Sequence, residues 1–201
     1  MIKIAFLGKM HSGKTTAVNK IWELAESVEL WPMLVKFAKP LYDSQECFVG
    51  KDTEKNRIFL QKLSTLSKEC FGSLILSQCF AERVKRLEED FPQKRMVLLC
   101  DDIRFPTDLD TARDCGFTIV GINASDEVRR KRNPKLFVGT EHETENQVDV
   151  LMKKTDIVVD GDLEIDAFRY DIHQTWIDLV YKAVDDDSVL NLYIKDRVKN
   201  K

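Results

Sequence analysis

Short, mostly apolar runs alternate along this chain with longer stretches in which apolar residues recur every three or four positions. Ile2-Lys3-Ile4-Ala5-Phe6-Leu7 is the first run and reads as a buried strand. A helix-like stretch begins near Lys14, and over residues 16–27 Ala17, Val18, Ile21, Trp22, Leu24 and Ala25 have the spacing of an amphipathic helix. Residues 33–38 predict a second strand, opened by Pro32 and closed before Pro40. Strand, helix, strand is a βαβ unit, so these two strands should run parallel. Residues 42–91 hold no clear strand. Asp52-Thr53-Glu54 predicts a helix start, Ile58, Phe59, Leu60, Leu63, Leu66 and Cys70 continue that helix, and Gly72 breaks it. A second helix is expected from Ser73 to about Glu89.

Further on, residues 96–100 read as a fully apolar strand, Asp108 to Cys115 as a short helix stopped by Gly116, and residues 117–122 as a fourth strand. A basic helix follows, ended by Asn133-Pro134, and the acidic residues 141–145 start a returning helix. Residues 157–159 predict a fifth strand and residues 163–184 a long helix, in which His173 is structural. Asp185-Asp186-Asp187 reads as a solvated break, and residues 188–201 as a last helix that packs or frays. The expectation is an α/β fold: one domain over 1–201, three layers (αβα), a five-stranded parallel sheet and a helical insert over 40–92.

Composition narrows the function classes. Lys and Arg number 31 against 34 Asp and Glu, a net charge of −3, which argues against a broad nucleic-acid surface. No apolar run approaches the ~20 residues of a membrane span. The five cysteines are scattered and form no C-x-x-C pair, so neither a zinc site nor a disulfide framework is suggested. With no signal-peptide pattern ahead of Gly8, a reduced, cytoplasmic chain is expected.

The chemistry concentrates at strand ends. Gly8-Lys9-Met10-His11-Ser12-Gly13-Lys14-Thr15 has the G-x-x-x-x-G-K-T spacing of a P-loop, between a strand and a helix. Its glycines let backbone N–H groups turn inward around phosphate oxygens, and the helix N-terminus adds its positive dipole end. Gly8, Lys9, Met10, His11, Ser12, Gly13, Lys14, Thr15 and Thr16 are therefore the expected ATP-binding residues. Lys14 would reach the β/γ-phosphates and the Thr15 hydroxyl would sit on Mg²⁺. A glycine turn that merely joins strand to helix is the plain alternative. The strand over 96–100 ends in Asp101-Asp102, the Walker B pattern that places a carboxylate beside Mg²⁺. Arg129, Arg130, Lys131, Arg132 and Lys135 follow the fourth strand. They read either as a solvated charged face or as part of a lid over 125–145, whose arginines close on a transferring phosphoryl group.

With these pieces in place the chain resembles the deoxynucleoside monophosphate kinases of tailed bacteriophages, within the P-loop nucleoside monophosphate kinase family. The resemblance runs from Met1 to about Leu163. Phe37-Ala38-Lys39-Pro40-Leu41 is similar to the family's F-A-x-P-L, and Arg57 with Leu60-Gln61-Lys62-Leu63 to its R-x-x-L-Q-x-L helix. Asp102-Ile103-Arg104-Phe105-Pro106 resembles its D-V-R-F-P block, and His142-Glu143-Thr144-Glu145 its H-x-S-E motif. Lys39 stands where the family is often acidic, Asp108 near where it often has Asn-Glu, and Thr144 replaces a Ser.

The resemblance implies Mg²⁺-dependent phosphoryl transfer from ATP to a (deoxy)nucleoside monophosphate. Lys14, Asp102, Arg129, Arg130 and Arg132 would be catalytic, and Thr15 and Asp102 would hold the metal. Alternation along the strand end would aim Asp102 and Arg104 to one side, favouring Asp102 over Asp101. Arg57 and Arg104 would clamp the acceptor phosphate, Lys39, Gln61 and Phe105 would contact the acceptor, and His142 and Glu145 would position the lid or touch substrate. The expected partners are ATP and the monophosphate, with no nucleic acid and no membrane; a homodimer stays open. Two alternatives remain. One is a P-loop kinase acting on phosphomevalonate or dephospho-coenzyme A, kept open by Lys39, Lys51, Lys55 and Lys62. The other is a nucleotide-dependent switch or scaffold, against which stands the lack of an N-K-x-D guanine-reading motif.

Overall fold

A computed structural model describes residues 1–51, 53–91, 95–134 and 143–183, without the side chains of 143–146. Five strands form one sheet: β1 (Ile2–Leu7), β2 (Trp31–Leu34), β3 (Met96–Cys100), β4 (Thr118–Asn123) and β5 (Ile157–Asp160). All pairings are parallel, in the order β2-β3-β1-β4-β5. The connecting helices are α1 (Lys14–Ser27), α2 (Lys39–Val49), α3 (Arg57–Phe71), α4 (Ile75–Asp90), α5 (Pro106–Asp114), α6 (Asp126–Arg132), α7 (Glu143–Met152) and α8 (Ile165–Ala183).

Strand alternation divides the core in two. Ile4 and Phe6 of β1, with Val97, Leu99, Val120 and Ile122, pack against Ala17, Ile21 and Leu24 of α1 and Phe168, Ile172 and Trp176 of α8. Ala5 and Leu7, with Leu98, Cys100 and Ile119, face Phe80 and Val84 of α4, Leu109 of α5, and Val148 and Leu151 of α7. Both faces are covered, which is why β3 is apolar throughout and β1 and β4 carry polar residues only near their ends. The expected αβα architecture is the one observed.

Two boundaries differ from expectation. β2 begins at Trp31 and ends at Leu34, so Phe37 and Ala38 are not strand. Their N–H groups instead donate to the Asp102 carboxylate, at 3.1 and 3.0 Å. Pro32 lies inside β2, which a proline tolerates because β2 is an edge strand. The helix expected from Asp52-Thr53-Glu54 starts instead at Arg57, because Asn56 is the cap: its side chain accepts the N–H of Phe59 at 3.0 Å. The sequence does not set α2 apart within the expected helical insert. Residues 185–187 and 188–201 lie outside the described residues, and no helix among those described is long and apolar enough to cross a membrane.

Candidate active site

β1 is the middle strand, and the backbone leaving it turns through residues 8–13 into α1. Gly8 has to be glycine, because a Cβ there would lie 2.5 Å from Ser12 Oγ and 2.7 Å from the Ile122 carbonyl oxygen. Gly13 adopts φ +116° with the Phe168 ring 3.1 Å from where a Cβ would stand, so a side chain there is strained in its backbone and makes the ring give way. No side chain caps the N-terminus of α1, which leaves its first-turn N–H groups directed at the loop. Within the loop, Ser12 N–H donates to the Lys9 carbonyl at 3.1 Å and His11 sits in the left-handed region at φ +61°.

The Lys14 ammonium lies over the loop it follows, donating to the Gly8 and Lys9 carbonyls at 2.7 and 2.8 Å. Ser12 is wholly buried, and its hydroxyl finds no hydrogen-bond partner. An orphaned polar atom inside an amide-rich turn fits a site for an oxyanion. Lys9 is held aside by Asp149 of α7 at 2.8 Å, while Thr15 is exposed and Thr16 half-buried.

β3 lies beside β1 in register, Ala5 opposite Cys100, so Asp101 and Asp102 emerge next to the loop's first residues. Asp101 pairs with Lys36 at 2.8 Å. Asp102 is half-buried. Burial pushes its carboxyl above the usual range, and the amides of Ala38 and Phe37 pull it part of the way back. The alternation expected to aim Asp102 and Arg104 together does not operate, because β3 stops at Cys100. Ile103 is buried and Arg104 is exposed. Here Asp108 shapes the chain: its Oδ2 accepts the N–H groups of Arg104 and Phe105 at 3.1 and 3.0 Å, closing the first turn of α5. Burial raises the Asp108 pKa to about 6 against the pull of those two amides, and the Asp102 charge adds to the rise.

The insert forms the far wall. A pocket of about 300 Å³ is lined by Leu34, Lys36, Lys39, Tyr42, Gln45, Glu46, Thr53 and Lys55. Lys39 ion-pairs with Asp43 one turn along α2, and the Lys55 ammonium lies 4.4 Å above the Tyr42 ring. Gln45 is buried and uses both ends of its amide, donating to the Glu54 carbonyl at 3.1 Å and accepting from Asn56 N–H at 2.9 Å. Arg57 and Gln61 occupy one exposed face of α3, and Phe105 lies under the Lys68 ammonium at 4.5 Å. None of Arg57, Gln61, Arg104 or Phe105 lines the pocket. Sequence reasoning missed Tyr42 and Gln45 because it did not set α2 apart, and Lys36 because it read residues 33–38 as strand. The available signal was Pro40, suited to the first turn of a helix.

The basic cluster is α6. Ser125 caps it (Val128 N–H to Oγ, 3.3 Å), acids occupy its first turn and bases its last, as the helix dipole favours. Arg129 is buried. Its Nε donates to the Met10 carbonyl at 2.8 Å and its Nη1 to Asp126 at 2.8 Å. Arg132 donates to the carbonyls of His11 (3.2 Å), Ser12 (3.1 Å) and Gly161 (2.7 Å). Arg130 and Lys131 are exposed. The stretch 125–145 assigned to a lid is described only to Pro134 and from residue 143. His142 and the Glu145 side chain lie outside the described residues.

Among the described residues no three His, Cys, Asp or Glu side chains converge as a metal cage. The donors at this end of the sheet, the Thr15 hydroxyl and the Asp101 and Asp102 carboxylates, are hard oxygens. They suit Mg²⁺ that takes its remaining ligands from phosphates and water.

No family model and no curated protein matches the chain. Solved structures of similar shape include a shikimate kinase from Aquifex aeolicus, 17% identical, with a TM-score of 0.48 over 87% of this chain and 95% of that one. A shikimate kinase from Bacteroides thetaiotaomicron is 13% identical, with a TM-score of 0.49 over 87% and 97%. A sugar kinase from Janibacter sp. is 13% identical, with a TM-score of 0.48 over 89% and 95%. Identities and scores this low do not transfer any of these proteins' activities to the chain.

Proposed function

We propose that the chain transfers the terminal phosphoryl group of ATP to the phosphate of a small acceptor, a (deoxy)nucleoside monophosphate, releasing ADP and the diphosphate. The observation that carries this reading is the P-loop turn itself. Gly8 admits no side chain and Gly13 only a strained one, the first turn of α1 is uncapped, and two carboxylates stand at the adjacent strand end. The loop amides and Lys14 hold the donor phosphates. An acceptor phosphate oxygen attacks the γ-phosphorus as the bond to the ADP oxygen breaks, so no covalent intermediate with the protein is needed. Thr15 and Asp102 would hold Mg²⁺ through oxygen, directly or through water, with Asp101 beside them, and the ion when bound would neutralise charge on the phosphates. Arg57 and Arg104 are exposed on the acceptor side, where their guanidinium forks suit a phosphate. Arg130 is the α6 arginine assigned to the transferring group.

A second reading keeps donor and loop but changes the acceptor. The pocket holds Lys36, Lys39 and Lys55 beside Glu46, while both ends of Gln45's amide are engaged, which favours a small anionic acceptor over one read by its base; such an acceptor would draw Lys36 and Lys39 away from Asp101 and Asp43. Phosphomevalonate fits that description, and dephospho-coenzyme A, a larger acceptor that carries adenine, belongs in the same assay as its contrast. Purified protein with ATP and Mg²⁺ would be offered each deoxynucleoside and ribonucleoside monophosphate and these two acceptors, following ADP release. Acceptor-dependent release that Lys14→Met abolishes is expected. No release with any acceptor, and no difference between wild type and Lys14→Met, would sink the kinase reading.

A further inference from the structure

We propose that Arg129 and Arg132 are positioning residues for the phosphate-binding loop: from α6 they grip its outward carbonyls and so keep its amides turned toward a polyphosphate. This rests on the reading that the loop binds a triphosphate. The peptide plane supplies the link. In a trans peptide the carbonyl of one residue and the N–H of the next point in opposite directions, and no described peptide bond is cis. A donor placed on the Met10 carbonyl therefore turns the His11 N–H away from itself. Donors on the His11 and Ser12 carbonyls do the same for the Ser12 and Gly13 N–H groups. Arg129 takes the first carbonyl at 2.8 Å and Arg132 the other two at 3.2 and 3.1 Å. Of the three opposed amides, Ser12 N–H is used inside the loop, on the Lys9 carbonyl. The amides of His11 and Gly13 lie on the side away from the guanidinium groups.

Arginine suits this task better than lysine, because one planar fork spans several carbonyls. The positive charge also polarises each peptide unit in the sense that strengthens its N–H as a donor. The gripping helix is itself anchored. Ser125 N–H donates to Asp162 at 2.7 Å, Arg132 Nη2 reaches the Gly161 carbonyl at 2.7 Å, and Asp126 holds Arg129. The left-handed His11 belongs to the same arrangement, since its carbonyl is one of the two loop carbonyls that Arg132 takes.

The test uses the full chain as wild type, Arg129→Lys, Arg129→Met, Arg132→Lys and Arg132→Met. Affinity for inorganic tripolyphosphate with Mg²⁺, and for ATP, is measured by calorimetry beside the ligand-free melting temperature. Each Met variant is expected to bind both probes about tenfold more weakly or worse, and each Lys variant to fall between its Met variant and wild type, because one ammonium keeps the charge but reaches fewer of the carbonyls than the planar fork. Arg132 is exposed, so its Met variant keeps the test open should Arg129→Met fail to fold. Unchanged tripolyphosphate affinity in folded Arg132→Met overturns the proposal, even if kcat falls, because that is the signature of an arginine touching the transferring group. Lys and Met variants weakened equally, in step with lost melting temperature, also overturn it. Wild type that binds neither probe sinks the triphosphate reading itself, and this inference with it.

Discussion

Asp108 carries a cost that the rest of the fold bears. It is buried, its Oδ2 accepts two amide N–H groups, and its pKa is raised from 3.8 to about 6. The folded chain therefore holds this proton more tightly than the unfolded chain. The stabilisation is complete below about pH 3.8 and is lost as pH rises through about 6, amounting to at most about 3 kcal/mol. Asparagine can present one oxygen to the same two amides without the charge. Asp108→Asn should flatten this part of the stability profile between pH 4 and about 6.5, read as the difference between the two proteins' denaturant midpoints. Parallel profiles would show that Asp108 does not titrate as described. Gly13 is the second position where one residue decides locally. Gly13→Ala places a methyl group at φ +116° and 3.1 Å from the Phe168 ring, and should cost about 1–2 kcal/mol in thermal unfolding.

Among the elements, α3 is the least anchored of those around the site: it buries none of its residues. Its position comes from its start, where Asn56 caps the first turn and Gln45 of α2 bonds to the backbone of Glu54 and Asn56. Asn56→Ala should weaken the helix by about 1 kcal/mol. That speeds amide exchange across residues 57–71 about fivefold while leaving α1 unchanged; an equal change in both helices would count against the cap. The turn leaving β5 acts differently, by close approach. A Cβ on Gly161 would stand 2.8 Å from Ala124 Cβ, 2.9 Å from the Ser12 carbonyl oxygen and 3.0 Å from that of Asn123. Gly161→Ala should therefore destabilise by about 1–3 kcal/mol and weaken ATP binding, since Ser12 belongs to the loop. Normal ATP affinity in that variant would uncouple the turn from the loop.

Across the whole molecule the strand order does the assembling. β1 sits between β3 and β4, so the loop after β1, the two aspartates after β3 and the arginines after β4 all emerge at one edge of the sheet. Ligands of open parallel sheets bind at this carboxyl edge. Saturating MgATP should raise the melting temperature of wild type by roughly 5–10 °C, from about 2.7 kcal/mol of ligand stabilisation at a hundredfold excess over Kd. Lys14→Met should lose most of that rise. A wild-type melting temperature indifferent to MgATP would remove nucleotide binding from the proposal.

Apolar strands, the P-loop spacing and the paired aspartates could be read directly from the chain, because burial on both faces and phosphate binding each demand particular residue types at short range. Five parallel strands and the three-layer fold follow from that local pattern. The sequence did not mark α2 as a separate helix within the expected insert, because that helix buries only Leu41 and Gln45. It also placed the end of β2 too late, because an aspartate 64 and 65 residues away takes the amides of Ala38 and Phe37. The division of labour within Arg129-Arg130-Lys131-Arg132 was equally hidden. One guanidinium buries against Met10 and another spans His11, Ser12 and Gly161, across separations of 29 to 121 residues. Local chemistry names the groups that can bind a phosphate; only the packing of α6 against the loop decides which arginines hold that loop in place.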